Sequence, residues 1–231
     1  MSYAGLRALV PGWLRRHIFF FEVRIEEELN GFALATPANA RVLDAGAGEG
    51  QYRNLFQKQR YTGVDLGIGD TQWDYTGLDC LADLLRLPFP PQTFEAFVSV
   101  VTLEHVTDPQ TALAEMARVA KPGARLFIVL PLEWEVHQHP HDYWRFTRYT
   151  VEMLLSKTGW EIEKLEAGGG FFRLLSRRLM NGLQFLPGWL MPLAAIFVAP
   201  VALIVGAFDS LDKQRDYTLG YICWAKRKIE I

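Results

Sequence analysis

The sequence predicts an α/β fold, a mostly parallel sheet covered by helices on both faces, with an apolar helical insert placed before the last strand. Short β-rich apolar runs alternate with longer helix-patterned segments from Arg41 to Glu166, the order that βαβ units produce. The first run passes into the glycine turn Gly46-Ala47-Gly48-Glu49-Gly50. A stretch without charge lies between Arg178 and Asp209 and is followed by one more strand-like run.

Taken in order, strand is expected at Arg41 to Ala45, followed by a helix from Gly50 and a second strand over Tyr61 to Asp65. A short strand is expected near Leu78 to Ala82, another at Phe94 to Val100, and then a helix over Pro109 to Ala120. Pro122-Gly123 should stop that helix after Lys121 and turn the chain into the strand Arg125 to Leu130. Helix Thr150 to Thr158 and strand Trp160 to Glu166 follow, and Thr218 to Lys226 reads as the closing strand. The expected organisation is a helical segment over 1–39, a core over 40–167, an apolar insert over 168–216 and the closing strand in 217–231.

Composition narrows the function. A chain of 231 residues suits one substantial core. A formal net charge of −2 and a sequence pI of about 6.2 supply no global basic field, so nucleic acid is not expected as a partner. Cys80 and Cys223 have neither metal-ligand nor C-x-x-C spacing and read as reduced core residues. Mean hydropathy is +0.04, high for a soluble enzyme, and the apolar excess collects at the two ends of the chain. Near the start, Trp13 and Phe19-Phe20-Phe21 beside Arg7, Arg15 and Arg16 fit either a helix packing over a ligand site or an interfacial helix. Charges interrupt this stretch and no cleavage pattern follows it, so a signal peptide is not expected.

The glycine turn carries the chemistry. Glycines at 46, 48 and 50 let the backbone bend tightly and approach a ligand. The spacing is G-x-G-x-G, with Gln51 where a dinucleotide fingerprint wants Gly or Ala, and Asp44 stands two residues before the first glycine. A carboxylate there repels a pyrophosphate, which disfavours a nicotinamide cofactor, but suits a ligand with a cationic amino group such as S-adenosylmethionine (SAM). Asp65, at the end of the second predicted strand, sits where ribose hydroxyls are usually held.

With these residues, and with Asp83 to Phe89, Leu103-Glu104-His105-Val106 and Glu115 to Ala124 following in order, the chain resembles the class I SAM-dependent methyltransferases of the type 11 kind. The resemblance covers roughly Ala40 to Leu165, with Thr218 to Lys226 as the family's antiparallel closing strand. Glu95 stands where the family more often has Asp, and Ala124 where it often has a second Gly. The resemblance implies that Asp44, Gly46, Ala47, Gly48 and Gly50 hold the methionine end of SAM, Asp65 with the following Leu66 the ribose, and Asp83 with the Leu84 amide the adenine. S-adenosylhomocysteine is then the product.

The acceptor is expected beyond the strand ends, where Pro131 to Thr147 concentrates three histidines, acids and aromatics. Its His-Asp-Tyr-Trp-Arg-Phe-Thr run is similar to a segment in a methyltransferase subgroup that accompanies surface-glycan biosynthesis. His141 polarised by Asp142 is the expected general base, with Glu133 second and His105 a further candidate. Methyl transfer from a sulfonium requires no metal, and none is expected. The alternation of His137, His139 and His141 beside Asp142 keeps a metal-binding alternative open.

Before the closing strand, the uncharged stretch is long enough to cross a bilayer. The closing strand must nevertheless rejoin the sheet, so the insert should leave and return on one side, broken by Pro187, Pro192 and Pro200 into a re-entrant or surface-lying hairpin. Trp189 would anchor it, with Arg173, Arg177, Arg178, Lys213 and Arg215 facing anionic headgroups. The expectation is a peripheral or monotopic enzyme on the cytoplasmic face of a membrane, O-methylating an amphipathic acceptor such as a lipid-linked glycan intermediate or a prenylated quinone precursor. Its rivals are a cytosolic small-molecule methyltransferase with an apolar lid and a non-catalytic scaffold.

Overall fold

A computed structural model describes residues 16–69 and 73–229. Trp13, Arg7 and Arg15 of the expected interfacial helix lie outside them. The chain divides into two compact units, Glu28–Glu166 with Gly220–Ile231 and Ala167–Leu219 with the N-terminal residues up to Glu27.

The first unit is built on a seven-stranded sheet. Its strands are β1 (Arg41–Ala45), β2 (Arg60–Asp65), β3 (Cys80–Leu81), β4 (Phe94–Val100), β5 (Ala120–Pro131), β6 (Trp160–Ala167) and β7 (Gly220–Arg227), in the order β3-β2-β1-β4-β5-β7-β6. The pairs β1–β2, β1–β4, β2–β3 and β4–β5 are parallel, while β7 runs antiparallel to β5 with Ile128 opposite Cys223. The strand order reverses between β1 and β4, and there open α/β sheets bind ligands.

Side-chain alternation assigns the two faces. Phe97 and its partner Leu126 point one way, and Phe97 stacks edge-on against Trp160. The Trp160 indole donates to the Leu113 carbonyl of α2 (Pro109–Val119). On the other face, Phe127 and Trp224 receive Phe32 of α1 (Phe20–Ala35) at ring separations of 5.7 and 5.3 Å. Burial of large rings on both faces explains why the central strands read as continuous apolar runs.

Three local expectations change. In place of a helix from Gly50 there is one 3-10 turn, Arg53–Phe56, because the residues between Gly50 and Arg60 are too few for several helical turns and a return to β2. Helix α2 begins at Pro109 after the Asp108 cap, which accepts from the Thr111 amide at 3.0 Å. It ends at Val119, one residue short of the expected Ala120. Pro122 disfavours helical geometry at Lys121, so Pro122-Gly123 lies inside a long β5 opposite an irregularity in β4. Glu95 explains its place here, accepting from the Arg41 amide at 2.7 Å and from Lys121, which joins the starts of three strands. Cys223 is buried, and burial pushes its thiol up to about 12. Cys80, on the edge strand, is only half-buried, so it is not the core residue expected. Following β5, α3 (Arg148–Lys157) starts at the Thr147 cap.

The second unit is a helical hairpin of α4 (Phe171–Asn181) and α5 (Met191–Ala207). Asp209 and Asp212 accept from the Gly170, Phe171 and Arg173 amides at 2.8–3.1 Å, satisfying donors at the start of α4 with negative charge. Gly206 allows close packing, since a Cβ there would meet the Ser176 hydroxyl at 3.3 Å. Pro187 and Pro192 fall between or at the start of helices, as expected, but Pro200 lies inside an unbroken α5. Residues Met191–Leu211 form a helical stretch long and apolar enough by composition to cross a membrane, and little of it is buried. Trp189 is 80% and Phe197 69% exposed. The flanking cations are not free as a set. Arg177 pairs with Glu22 at 2.7 Å, Arg215 pairs with Asp209 at 2.8 Å, and Arg173 lies over the Phe20 ring.

Candidate active site

The glycine turn leaves β1 at the strand's carboxyl end. Gly46, Gly48 and Gly50 all have positive φ, +87°, +54° and +76°, where a Cβ is disfavoured. Space adds to conformation at Gly46, because a Cβ would fall 2.0 Å from the Thr102 side chain. Around Gly50 the nearest atom to such a Cβ is the mobile end of Arg53 at 3.8 Å, and around Gly48 it is the Trp73 ring at 3.4 Å. The turn is a backbone cradle with open approach on that side.

Asp65 closes the cradle. One carboxylate oxygen accepts from the Gly48 amide at 3.0 Å and the other from the Gly67 amide at 2.8 Å, joining the ends of β1 and β2. Leu66 is exposed and Ala47 buried, its amide donating to Val64. Asp83 follows β3, exposed, with one oxygen accepting from the Leu85 amide; the neighbouring Leu84 is buried.

Asp44 is placed differently from the expectation that it faces a ligand's ammonium. It is 1% exposed and accepts a 2.5 Å hydrogen bond from the Tyr61 hydroxyl. Burial pushes its carboxyl up to about 7 against the lowering effect of Tyr61, since desolvation disfavours the charged form. Asp44 therefore shapes the turn from below, and its charge near neutral pH is partial.

On the acceptor side, the segment after β4 and the loop after β5 are tied together. The Tyr143 amide donates to the Glu104 carbonyl at 2.8 Å and the Trp144 indole to the Val106 carbonyl at 2.9 Å. The His141–Asp142 couple does not form. Asp142 binds Arg145 through both oxygens at 2.7 and 2.8 Å and accepts from the His137 amide. That guanidinium holds its carboxyl well below the usual carboxylate range. His141 bonds the Tyr143 hydroxyl instead, and Glu133 is exposed. Asp142 next to His141 in sequence pointed to a couple, but neighbouring loop side chains diverge and the bidentate arginine three residues on wins the carboxylate.

The groups brought together are Glu104, His105 and His137. Glu104 is fully buried with neither oxygen hydrogen-bonded, and burial pushes it up to about 8. Its neighbour Thr102 packs on Gly46, with its hydroxyl 3.3 Å from the Gly46 carbonyl, so the cluster belongs to the same carboxyl-end rim as the cradle. Sequence reasoning missed Glu104 and placed His137 only in the metal-binding alternative with His139, His141 and Asp142. The charged Glu104 beside His105, bracketed by Leu103 and Val106, was the available signal. Trp73, over Gly48, left no signal at all.

Residues 43–128 match the family described as a methyltransferase domain, covering β1, the cradle, Asp65 and most of β5. Over these residues the chain carries a methyltransferase domain. A ubiquinone/menaquinone biosynthesis C-methyltransferase UbiE of Burkholderia mallei (strain SAVP1) is 31% identical over 120 residues, covering 46% of this chain and 49% of the relative. The chain thus spans about half the length of the curated relatives it matches. Among solved structures, the YcgJ protein from Bacillus subtilis aligns at TM-score 0.56 and 16% identity over 90% of this chain and 99% of that one. A SAM-dependent methyltransferase from Mesorhizobium loti aligns at 0.55 and 17% over 90% and 100%. The [4+2]-cyclase SpnF aligns at 0.56 and 19% over 88% and 81%. These likenesses establish the fold and, as the cyclase illustrates, leave the reaction to the site.

SAM fits the methyltransferase domain on the geometry above: a glycine turn at positive φ that keeps side chains off its backbone, and a carboxylate at the end of β2 that holds the turn. Asp44 also makes the domain pH-sensitive. Its pKa is raised from 3.8 to about 7, so the folded state holds a proton that the unfolded chain releases, and this stabilisation is full below pH 4 and lost as pH rises through 7. Asp44→Asn is expected to flatten that dependence and to gain on the order of 4 kcal/mol over the parent at pH 8, measured by urea unfolding from pH 4 to 8. Equal pH slopes in both proteins would overturn the assignment.

Proposed function

We propose that this protein methylates a hydroxyl-bearing acceptor with an apolar tail, using SAM, at the cytoplasmic face of a membrane. The carrying observation is the cradle whose Gly48 amide is held by Asp65, placed where the strand order reverses. SAM supplies an activated methyl group on a cationic sulfur. Residues of the cradle bind its amino acid end, Asp65 its ribose, and the segment Asp83-Leu84 its adenine. The chain's remaining tasks are to align the acceptor and to receive the hydroxyl proton. Glu104, His105 and His137 lie on the same rim and, in place of the His141–Asp142 pair, line the position where the acceptor hydroxyl would lie, with His141 lining the loop beside them.

The acceptor's apolar tail is read from the hairpin. A large exposed apolar helix serves no water-soluble substrate, and a lipid-tailed one must be met where it resides. Both ends of the hairpin enter neighbouring strands, β6 and β7, so the insertion returns to the side it left, which supports a monotopic association rather than a span. Two cations that would face headgroups are paired internally, so attachment is mainly apolar. The UbiE relative, named for quinone C-methylation, favours a second outcome at the same kind of acceptor, in which a phenol is deprotonated and the adjacent ring carbon takes the methyl group.

Labelled SAM incubated with purified protein and fractionated membrane lipid tests the reading. Label is expected in a lipid-soluble product, and product NMR separates a methoxy from a ring methyl. Turnover of water-soluble extracts alone would overturn it. Asp65→Ala is expected to weaken S-adenosylhomocysteine binding by about 1.5–3 kcal/mol, the scale of hydrogen bonds to charged groups. Asp65→Asn should lose less, because its carbonyl still accepts from Gly48. Calorimetric titration checks both.

A further inference from the structure

Around His105 and His137 the hydrogen bonds determine where the protons sit. The His105 Nδ1 lies 2.5 Å from the His141 carbonyl oxygen, and the His137 Nδ1 lies 3.1 Å from the Glu135 carbonyl oxygen. A carbonyl only accepts, so each Nδ1 carries its ring's hydrogen. In the neutral rings both Nε2 atoms are then bare lone pairs, yet they face one another at 3.1 Å. Two lone pairs at that distance repel unless a cation lies between them.

Glu104 supplies a third donor. Its Oε1 is 3.8 Å from the His105 Nε2, and both its oxygens are buried without a hydrogen-bond partner. The three donor atoms lie within 4.8 Å of one another. Ligands bound to one ion at about 2.0–2.1 Å are about 3.3 Å apart in a tetrahedral arrangement, so the two Nε2 atoms already stand near ligand spacing and the Glu104 carboxylate, 3.8 Å from one of them, would move inward on binding. The outer nitrogens are held as well: both rings donate Nδ1–H to oxygen, as ligating histidines do, and the Asp142 carboxylate, fixed by Arg145, lies 3.3 Å from the His137 Nδ1.

We propose that Glu104, His105 and His137 bind one divalent first-row transition cation. Two imidazoles and a carboxylate suit zinc or ferrous iron, not magnesium or calcium, and they leave coordination positions for water or an acceptor oxygen. The ligands come from two segments, the turn after β4 and the loop after β5. His139 and His141, which alternate with His137 in sequence, take no part.

The test uses the full chain in detergent, stripped with chelator and then supplied separately with zinc, cobalt(II), or iron(II) under anaerobic conditions. Metal content after desalting and the visible bands of cobalt(II) are the readouts, and neither depends on activity. One equivalent of zinc or iron is expected, with intense cobalt bands typical of low-coordinate nitrogen and oxygen ligation. His137→Ala and Glu104→Gln should each weaken binding at least about tenfold, and His139→Ala should leave it unchanged. Failure of the parent chain to retain a stoichiometric amount of any of the three cations overturns the proposal and assigns the gap to a shared proton. Parent-like binding in His137→Ala overturns it equally. Neither result touches the cofactor reading, which S-adenosylhomocysteine titration of the metal-free protein tests independently.

Discussion

Gly46→Ala is expected to abolish measurable binding of S-adenosylhomocysteine and to destabilise the sheet unit by about 3 kcal/mol or more. Two costs combine. At φ +87° a Cβ imposes about 1–2 kcal/mol of backbone strain, and its 2.0 Å approach to Thr102 forces displacement in a packed region at about 1–3 kcal/mol. Thr102 has little freedom to retreat, since its hydroxyl bonds the Gly46 and Val100 carbonyls and the Leu103 that follows is fully buried. Movement of Thr102 would also displace Glu104, so the variant should damage both halves of the rim. Urea unfolding measures the first effect and calorimetry the second. By contrast, Gly50→Ala meets only the Arg53 side chain at 3.8 Å and should show the strain alone. Equal losses for the two variants would count against the steric account.

Replacing Phe197 and Ile204 together by glutamate is expected to release the protein from lipid vesicles, lowering the partition coefficient on the order of 100-fold or more. The two side chains are exposed on α5, and burying each in an apolar medium contributes about 1.5–3 kcal/mol. Being exposed, they can be replaced without opening a cavity, so circular dichroism should be unchanged. Because Arg177 and Arg215 are paired with Glu22 and Asp209, raising the salt concentration should detach the parent protein only weakly. Vesicle flotation reads both effects. Retained flotation of the double variant would show that α5 does not carry the attachment, and a parent protein that fails to float would show α5 covered by protein instead, as in an apolar lid.

The strand pattern was legible because buried parallel strands are continuous apolar runs, and the glycine turn because positive φ leaves few residues other than glycine. Asp65 was legible by its distance from that turn. The region after Gly50 was misread because apolar periodicity does not count the residues needed to return to the sheet. Pro122-Gly123 was misread because punctuation can sit in a strand opposite an irregularity as well as in a turn. Asp142 was misread because adjacency in sequence says little about side-chain direction in a loop.

By itself the sequence determined the α/β class, the glycine cradle and the existence of an apolar hairpin, all of which follow from local periodicity, glycine placement and charge. Only the tertiary structure decided that Asp44 turns inward to Tyr61, that Arg145 takes Asp142, and that Glu104, His105 and His137 converge. Those outcomes depend on which of several possible partners a side chain reaches once strands β4 and β5 lie side by side. Competition for hydrogen bonds across such long separations leaves no periodic trace along the chain.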